Sequence, residues 1–175
     1  EAELDSEVDG WKSYRNTGRQ KNVTVPYFID YYPVKSVPLP SAYILSIGDK
    51  EILELLKIHG IRVEKLSYNA ELQVESFNIR ELNGSSRLNQ GHYINTVKGE
   101  FINETRKFPA GTVVIRMDQP LANVCAYLLE PQSGDGLLAW NFFDRYLVPQ
   151  WGMGYYAYPV YKLMSKVHFD SVPVQ

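Results

Sequence analysis

The sequence is poor in the residues that most often carry chemistry. Its 175 residues hold one cysteine and three histidines. A single cysteine excludes an internal disulfide and any metal site built on several thiolates. Charge of one sign is also lacking. Eighteen Lys and Arg stand against 20 Asp and Glu, for a net charge of −2. No global field therefore draws the chain to nucleic acid or to an anionic membrane. No apolar run approaches the length of a membrane span, and no signal peptide is visible. There is no G-x-G-x-x-G, no P-loop and no G-x-S-x-G. His59, His92 and His168 lie far apart, and none belongs to an H-x-x-E or H-E-x-x-H pair.

Aromatic residues are what the chain has in excess. They make up 13% of it, with 13 tyrosines, concentrated at Tyr27–Tyr32 and Trp140–Tyr161. Tyr and Trp suit interfaces as well as cores. The remaining composition, 45% hydrophobic and 22% charged, is that of an ordinary soluble globular protein with enough length to bury a core. The organisation expected is a partly disordered leader or linker over residues 1–22, acidic over its first ten residues, a single α/β domain over 23–165 and a tail over 166–175. The chain opens on Glu1 rather than Met, from which removal of an upstream part is expected.

The clearest element boundaries run from Pro109 to Phe143. Thr112–Ile115 is β-branched and suits a buried strand. Asp118 is placed to cap a helix, with Pro120 in its first turn. Leu121, Val124, Cys125, Leu128 and Leu129 then form one apolar helical face, and Pro131 ends it. Cys125 on that face reads as a small core residue. Ser41–Leu66 reads as strand, helix, strand. Asp49 caps the helix, and Gly60 has the place of a left-handed residue at its end. A unit of this length predicts parallel strands with a right-handed crossover. His59 in the last helical turn complements the helix dipole. Residues 67–108 read as antiparallel β, with a bulge near Phe77, a turn at Asn83–Ser86 and a further turn at Ile102–Glu104. Val23–Tyr32 reads as an extended edge strand containing Pro26. Tyr158–Met164 reads as a last strand. The fold expected is α/β to α+β, a mixed sheet with one βαβ unit, an antiparallel meander and a second strand–helix unit.

Candidate sites follow from the unusual residues. Trp140, Phe142, Phe143, Trp151, Tyr155 and Tyr156 form an expected interaction patch. Trp151, Tyr155, Tyr156 and Tyr158 could instead stack on a glycan or a peptide. His92, at a strand start, with Glu130 and Asp135, which bracket the loop before the aromatic run, is the expected polar site. A turn hydrogen bond or packing is the ordinary role for His92. An enzymatic reading would need His92 beside a carboxylate. Asn22, Asn83 and Asn103 each fit the short glycosylation pattern, which decides nothing about compartment. The basic cluster Lys12, Arg15, Arg19 and Lys21 reads as a solvated face.

Several blocks resemble one family in order. Leu129-Glu130-Pro131 through Trp140-Asn141-Phe142-Phe143-Asp144 is similar to an "LEP…D…WNFF" segment that follows the catalytic domain of a bacterial group of M14 zinc carboxypeptidases. Pro40–Ile44 with Gly60–Leu66 resembles that group's "P-x-A-Y-I-I-P…L-x-x-H-G-V-x-V-x-x-L" block. Gly91-His92-Tyr93 resembles "E-G-H-Y", with Gln90 in place of the acid. Ala110–Thr112 with Gln119–Ala122 resembles "A-G-T…Q-P-L-A". The resemblance covers most of residues 23–145. The H-x-x-E zinc pair is absent, so no catalytic residue carries over. What the resemblance implies is a non-catalytic C-terminal accessory domain. Its partner would be its own upstream peptidase domain, with zinc held there and none in this chain, in a periplasmic or extracellular protein.

Overall fold

The computed structural model describes residues 1–33, 36–149, 152 and 154–174. The chain divides into two compact units, Glu1–Ser36 and Val37–Gln175.

The first unit is a hairpin of β1 (Ala2–Val8) and β2 (Trp11–Asn16). Asp9 and Gly10 turn it with φ of 50° and 82°. Asp-Gly accepts two positive φ values, and that turn matches the twist of paired strands. Glu3 faces Arg15 across the ladder, at 3.2 Å between charged atoms. Residues 17–33 form no strand. The extended strand expected over Val23–Tyr32 is thus not built, and Pro26 and Pro33 lack the amide donors that a ladder needs. Tyr27, Phe28, Tyr31 and Tyr32 are all exposed.

Among the described residues, the second unit is a seven-stranded sheet with three short helices. In chain order it comprises β3 (Ala42–Leu45), α1 (Lys50–Ile58), β4 (Glu64–Leu66), β5 (Ala70–Gly84), β6 (Asn95–Phe108), β7 (Val113–Arg116), α2 (Ala122–Leu129), α3 (Asp144–Leu147), β8 (Val160–Leu163) and β9 (Ser171–Pro173). The spatial order is β6-β5-β8-β3-β7-β4-β9. Every hydrogen-bonded pair in it is antiparallel. This overturns the mixed α/β sheet with a βαβ unit. The strand–helix–strand segment exists, with Asp49 as N-cap and Gly60 at φ 76°. Yet β7 inserts between β3 and β4 and pairs antiparallel with both. The architecture is mostly β.

Other local expectations also shift. Strand β6 runs unbroken through Ile102–Glu104 to Phe108. The β5–β6 register is intact past Phe77 and slips only between Ile79 and Glu81. Ser76 and Phe77 are both buried, because the sheet is covered on both faces there. Helix α2 has no side-chain cap. Asp118 carries no cap bond. Instead Gln119 accepts from the Arg62 amide at 2.8 Å and donates to the Arg116 carbonyl at 2.6 Å.

Strands β3, β7 and β8 are apolar on both faces apart from Lys162 on β8 and Arg116 at the end of β7, as a doubly covered sheet requires. One face packs Tyr43, Leu45, Phe77, Ile115 and Val160 against the helices and the Leu137–Leu147 segment. The other packs Ile44, Val114, Tyr161 and Leu163 with Leu72, Val74, Phe108 and Phe169.

Candidate functional site

The segment after α2 positions the site. Leu137, Leu138, Ala139 and Phe143 are buried and anchor it to the helical face of the sheet. The Phe143 ring meets Tyr158 edge-on at 5.2 Å. Gly136 is needed where a Cβ would lie 2.8 Å from the Tyr127 carbonyl oxygen. With those anchors fixed, Trp140, Asn141 and Phe142 stand half-buried at the rim.

His92 is delivered from the other side by a tight turn. Asn89 and His92 exchange backbone hydrogen bonds at 2.8 and 2.9 Å. Between them Gln90 and Gly91 hold φ of 50° and 85°. The imidazole Nδ1 lies 3.1 Å from Asn141 Oδ1, and the ring meets Trp140 edge-on at 5.2 Å. Asn141, with φ at 70°, donates from Nδ2 to the Tyr93 carbonyl at 3.0 Å. Asparagine accepts this left-handed conformation more readily than most non-glycine residues. The Trp140 indole N–H donates to Asp135.

The same rim carries α3. Asn95 donates to Asp144 Oδ1 at 2.6 Å. Burial raises the Asp144 carboxyl above its ordinary value, against the lowering by hydrogen bonds from Asn141 and Asn95. Arg145 pairs with Asp49, and Tyr146 donates to the same carboxylate at 2.5 Å. Glu51, His92, Trp140, Asn141, Phe142, Asp144 and Arg145 enclose a cleft of about 320 Å³. That is near the lower limit of ligand pockets, enough for one side chain of a larger partner.

The expected sites are thus divided. His92 and Asp135 are linked through Trp140, whereas Glu130 is elsewhere. Glu130 ends α2 on the helical face of the sheet and is buried. It accepts from the Tyr43 hydroxyl at 2.6 Å and lies 3.2 Å from Lys162 Nζ. Phe143 is in the core. Tyr155 and Tyr156 are exposed, with the Tyr155 hydroxyl accepting from the Leu82 amide at 3.3 Å. Trp151 lies outside the described residues. Asn141, Asp144, Arg145 and Lys162 were not foreseen. Lys162 had one signal, a lone cation inside the apolar run Tyr158–Leu163.

Nucleophile and metal chemistry find little here. Cys125 is buried, and burial pushes its thiol up to about 12. His59 directs Nδ1 at the Leu55 carbonyl, and His168 is exposed beside Asp170. Among the described residues no three His, Cys, Asp or Glu side chains converge to hold a metal ion. These residues do not fit a zinc centre.

The chain is distantly similar to fungal carboxypeptidases. It is 24% identical over 119 residues to carboxypeptidase 2 of Trichophyton rubrum, covering 65% of this chain and 22% of that protein. Carboxypeptidase 2 of Trichophyton equinum is 24% identical over 102 residues, covering 58% of this chain and 19% of that protein. The chain thus spans about a fifth of the length of the curated relatives it matches. No family model matches it, and no solved structure matches it significantly.

Proposed function

We propose that this chain is a non-catalytic accessory domain of a carboxypeptidase-like protein, docking or supporting a peptidase domain. The observation that carries the reading is the unequal coverage of the relatives, most of this chain against about a fifth of theirs. The ordered blocks resembling the region after the catalytic domain of M14 zinc carboxypeptidases support the same placement. So does the chemistry of the rim, whose histidine is committed to Asn141 and Trp140 rather than grouped with metal donors. In this reading zinc belongs to the peptidase domain, and the protein is periplasmic or extracellular. Half-buried Trp140 and Phe142, with exposed Tyr155 and Tyr156, form the docking surface. Aromatic anchors of this kind dominate interface energetics.

The test is made on the full gene product that contains this chain. The expected result is zinc-dependent release of C-terminal residues from peptides. Paired Tyr155→Ala and Tyr156→Ala changes should lower the melting temperature of the peptidase transition and leave kcat within about twofold. A gene product with no carboxypeptidase activity in the presence of zinc refutes the reading. An unchanged peptidase transition removes the docking role.

A further inference from the structure

We infer that the cleft between His92, Trp140 and α3 is a binding site for a lysine or arginine side chain presented by a polypeptide. The inference starts from which hydrogen-bonding groups of the cleft are already committed. Arg145 is turned to Asp49, the Trp140 N–H to Asp135, and His92 Nδ1 and Asn141 to each other. The acceptor capacity that remains is on two carboxylates, Asp144 and Glu51, and on His92 Nε2, since Nδ1 is the nitrogen that donates to Asn141. Asp144 is half-buried, and its hydrogen-bond partners are neutral amides. Among the described residues neither Asp144 nor Glu51 has an ion-pair partner within 4.0 Å.

Asp144 is partly withdrawn from water while Glu51 is exposed, and partial burial of a carboxylate that no cation meets is unfavourable, so the occupant that gains most is a cation. Trp140 and Phe142 line the same cleft, and a cation against an aromatic face gains further. The aliphatic stem of lysine or arginine suits such walls, since these side chains bury their methylenes and keep the charged head on polar groups. A carboxylate or phosphate ligand would meet two acids, with the one guanidinium already paired. The volume of about 320 Å³ admits one such side chain and not a folded element.

Where the accessory-domain reading holds, the polypeptide is the peptidase partner or its substrate. The site itself is tested without either. The full 175-residue chain is titrated by calorimetry with short blocked peptides carrying a central Lys, Arg or norleucine, and with free 1,5-diaminopentane. Lys and Arg peptides should bind at least tenfold more tightly than the norleucine peptide. Glu51→Gln, an exposed change outside the core, should weaken Lys-peptide binding several-fold, and Asp144→Asn should weaken it about tenfold. Raising salt should weaken binding further. Equal affinity for Lys and norleucine peptides, no binding of any cationic peptide, or unchanged affinity in both variants would overturn the assignment. Diaminopentane binding as tightly as the Lys peptide would overturn the polypeptide as its source. None of these outcomes depends on carboxypeptidase activity, so the two readings fail separately.

Discussion

Replacing Glu130 by Gln should destabilise the second unit by about 3 kcal/mol, the lower end of the cost of breaking a buried ion pair. The magnitude follows from what the change leaves behind. Lys162 is 2% exposed and lies on the helical face of β8, opposite Tyr43 in the ladder. Its near anion is Glu130 at 3.2 Å, whereas Glu75 stands at 3.9 Å and is partly solvated. The Phe101 ring at 4.2 Å gives it one further contact. Glutamine keeps an acceptor for the Tyr43 hydroxyl but leaves the ammonium with Glu75 and Phe101 alone. Those two contacts hold the cost near the lower end. Lys162→Met should cost a similar amount, since it leaves Glu130 buried with one hydroxyl donor. The double variant should recover about 1–3 kcal/mol of the summed loss, because each partner is costly mainly when the other remains. Urea unfolding reads all four proteins. A 3 kcal/mol loss moves the midpoint by about 1–3 M at ordinary m-values. Single changes costing under about 1 kcal/mol, or strict additivity in the double variant, would refute the reasoning.

Three further outcomes are expected. Gly99→Ala should cost about 3 kcal/mol or more through overpacking, because its Cβ would overlap the Asn78 carbonyl and lie 2.8 Å from the Phe77 ring; a wild-type thermal melt would contradict this. Asp49→Ala should cost about 1–2 kcal/mol at pH 7 through the lost N-cap. Burial raises the Asp49 carboxyl, but hydrogen bonds from Tyr146, Arg145 and the amides of Ile52 and Glu51 outweigh it and hold the pKa below the ordinary 3.8. Its contribution is therefore present above pH 3.8 and lost as pH falls through the folded value, so the melting-temperature gap between Asp49→Ala and wild type should close on acidification and not widen. Cys125, with its thiol pushed up to about 12, should react with a thiol reagent at pH 8 no faster than the protein unfolds; rapid labelling of the native state would show an opening that the packed core does not contain.

The legible parts of the fold were those decided within one turn or one hairpin. Asp49, the apolar stripe of α1 and Gly60 are neighbours in sequence, and their physics is local. The β5–β6 ladder is likewise a hairpin whose pairing follows from its turn. Sheet direction was not local. It depends on β7, which enters from about 70 residues downstream of β3 and separates it from β4. The Asp118 cap failed for a related reason. Gln119, anchored to the Arg62 backbone from far away in sequence, fixes the chain before α2 begins. At the rim, His92 and Trp140 drew notice as residue types. Their link through Asn141 needed a positive φ that no composition signals. Glu130 read as a loop acid because it precedes Pro131, and its buried cation comes from 32 residues later.

The place of β8 in the sheet has a consequence for synthesis on the ribosome. Strand β8 lies between β5 and β3, so the β6–β5 hairpin and the β3–β7–β4 group are joined across the ladder only through residues 160–163. Until that stretch leaves the exit tunnel, the nascent chain carries two sheet fragments, each with an open apolar edge. Emergence of β8 is the event that closes them into one cooperative body. Such late, long-range closure slows folding and leaves sticky intermediates exposed. A stop codon a few residues before Val160 would therefore yield a chain for degradation.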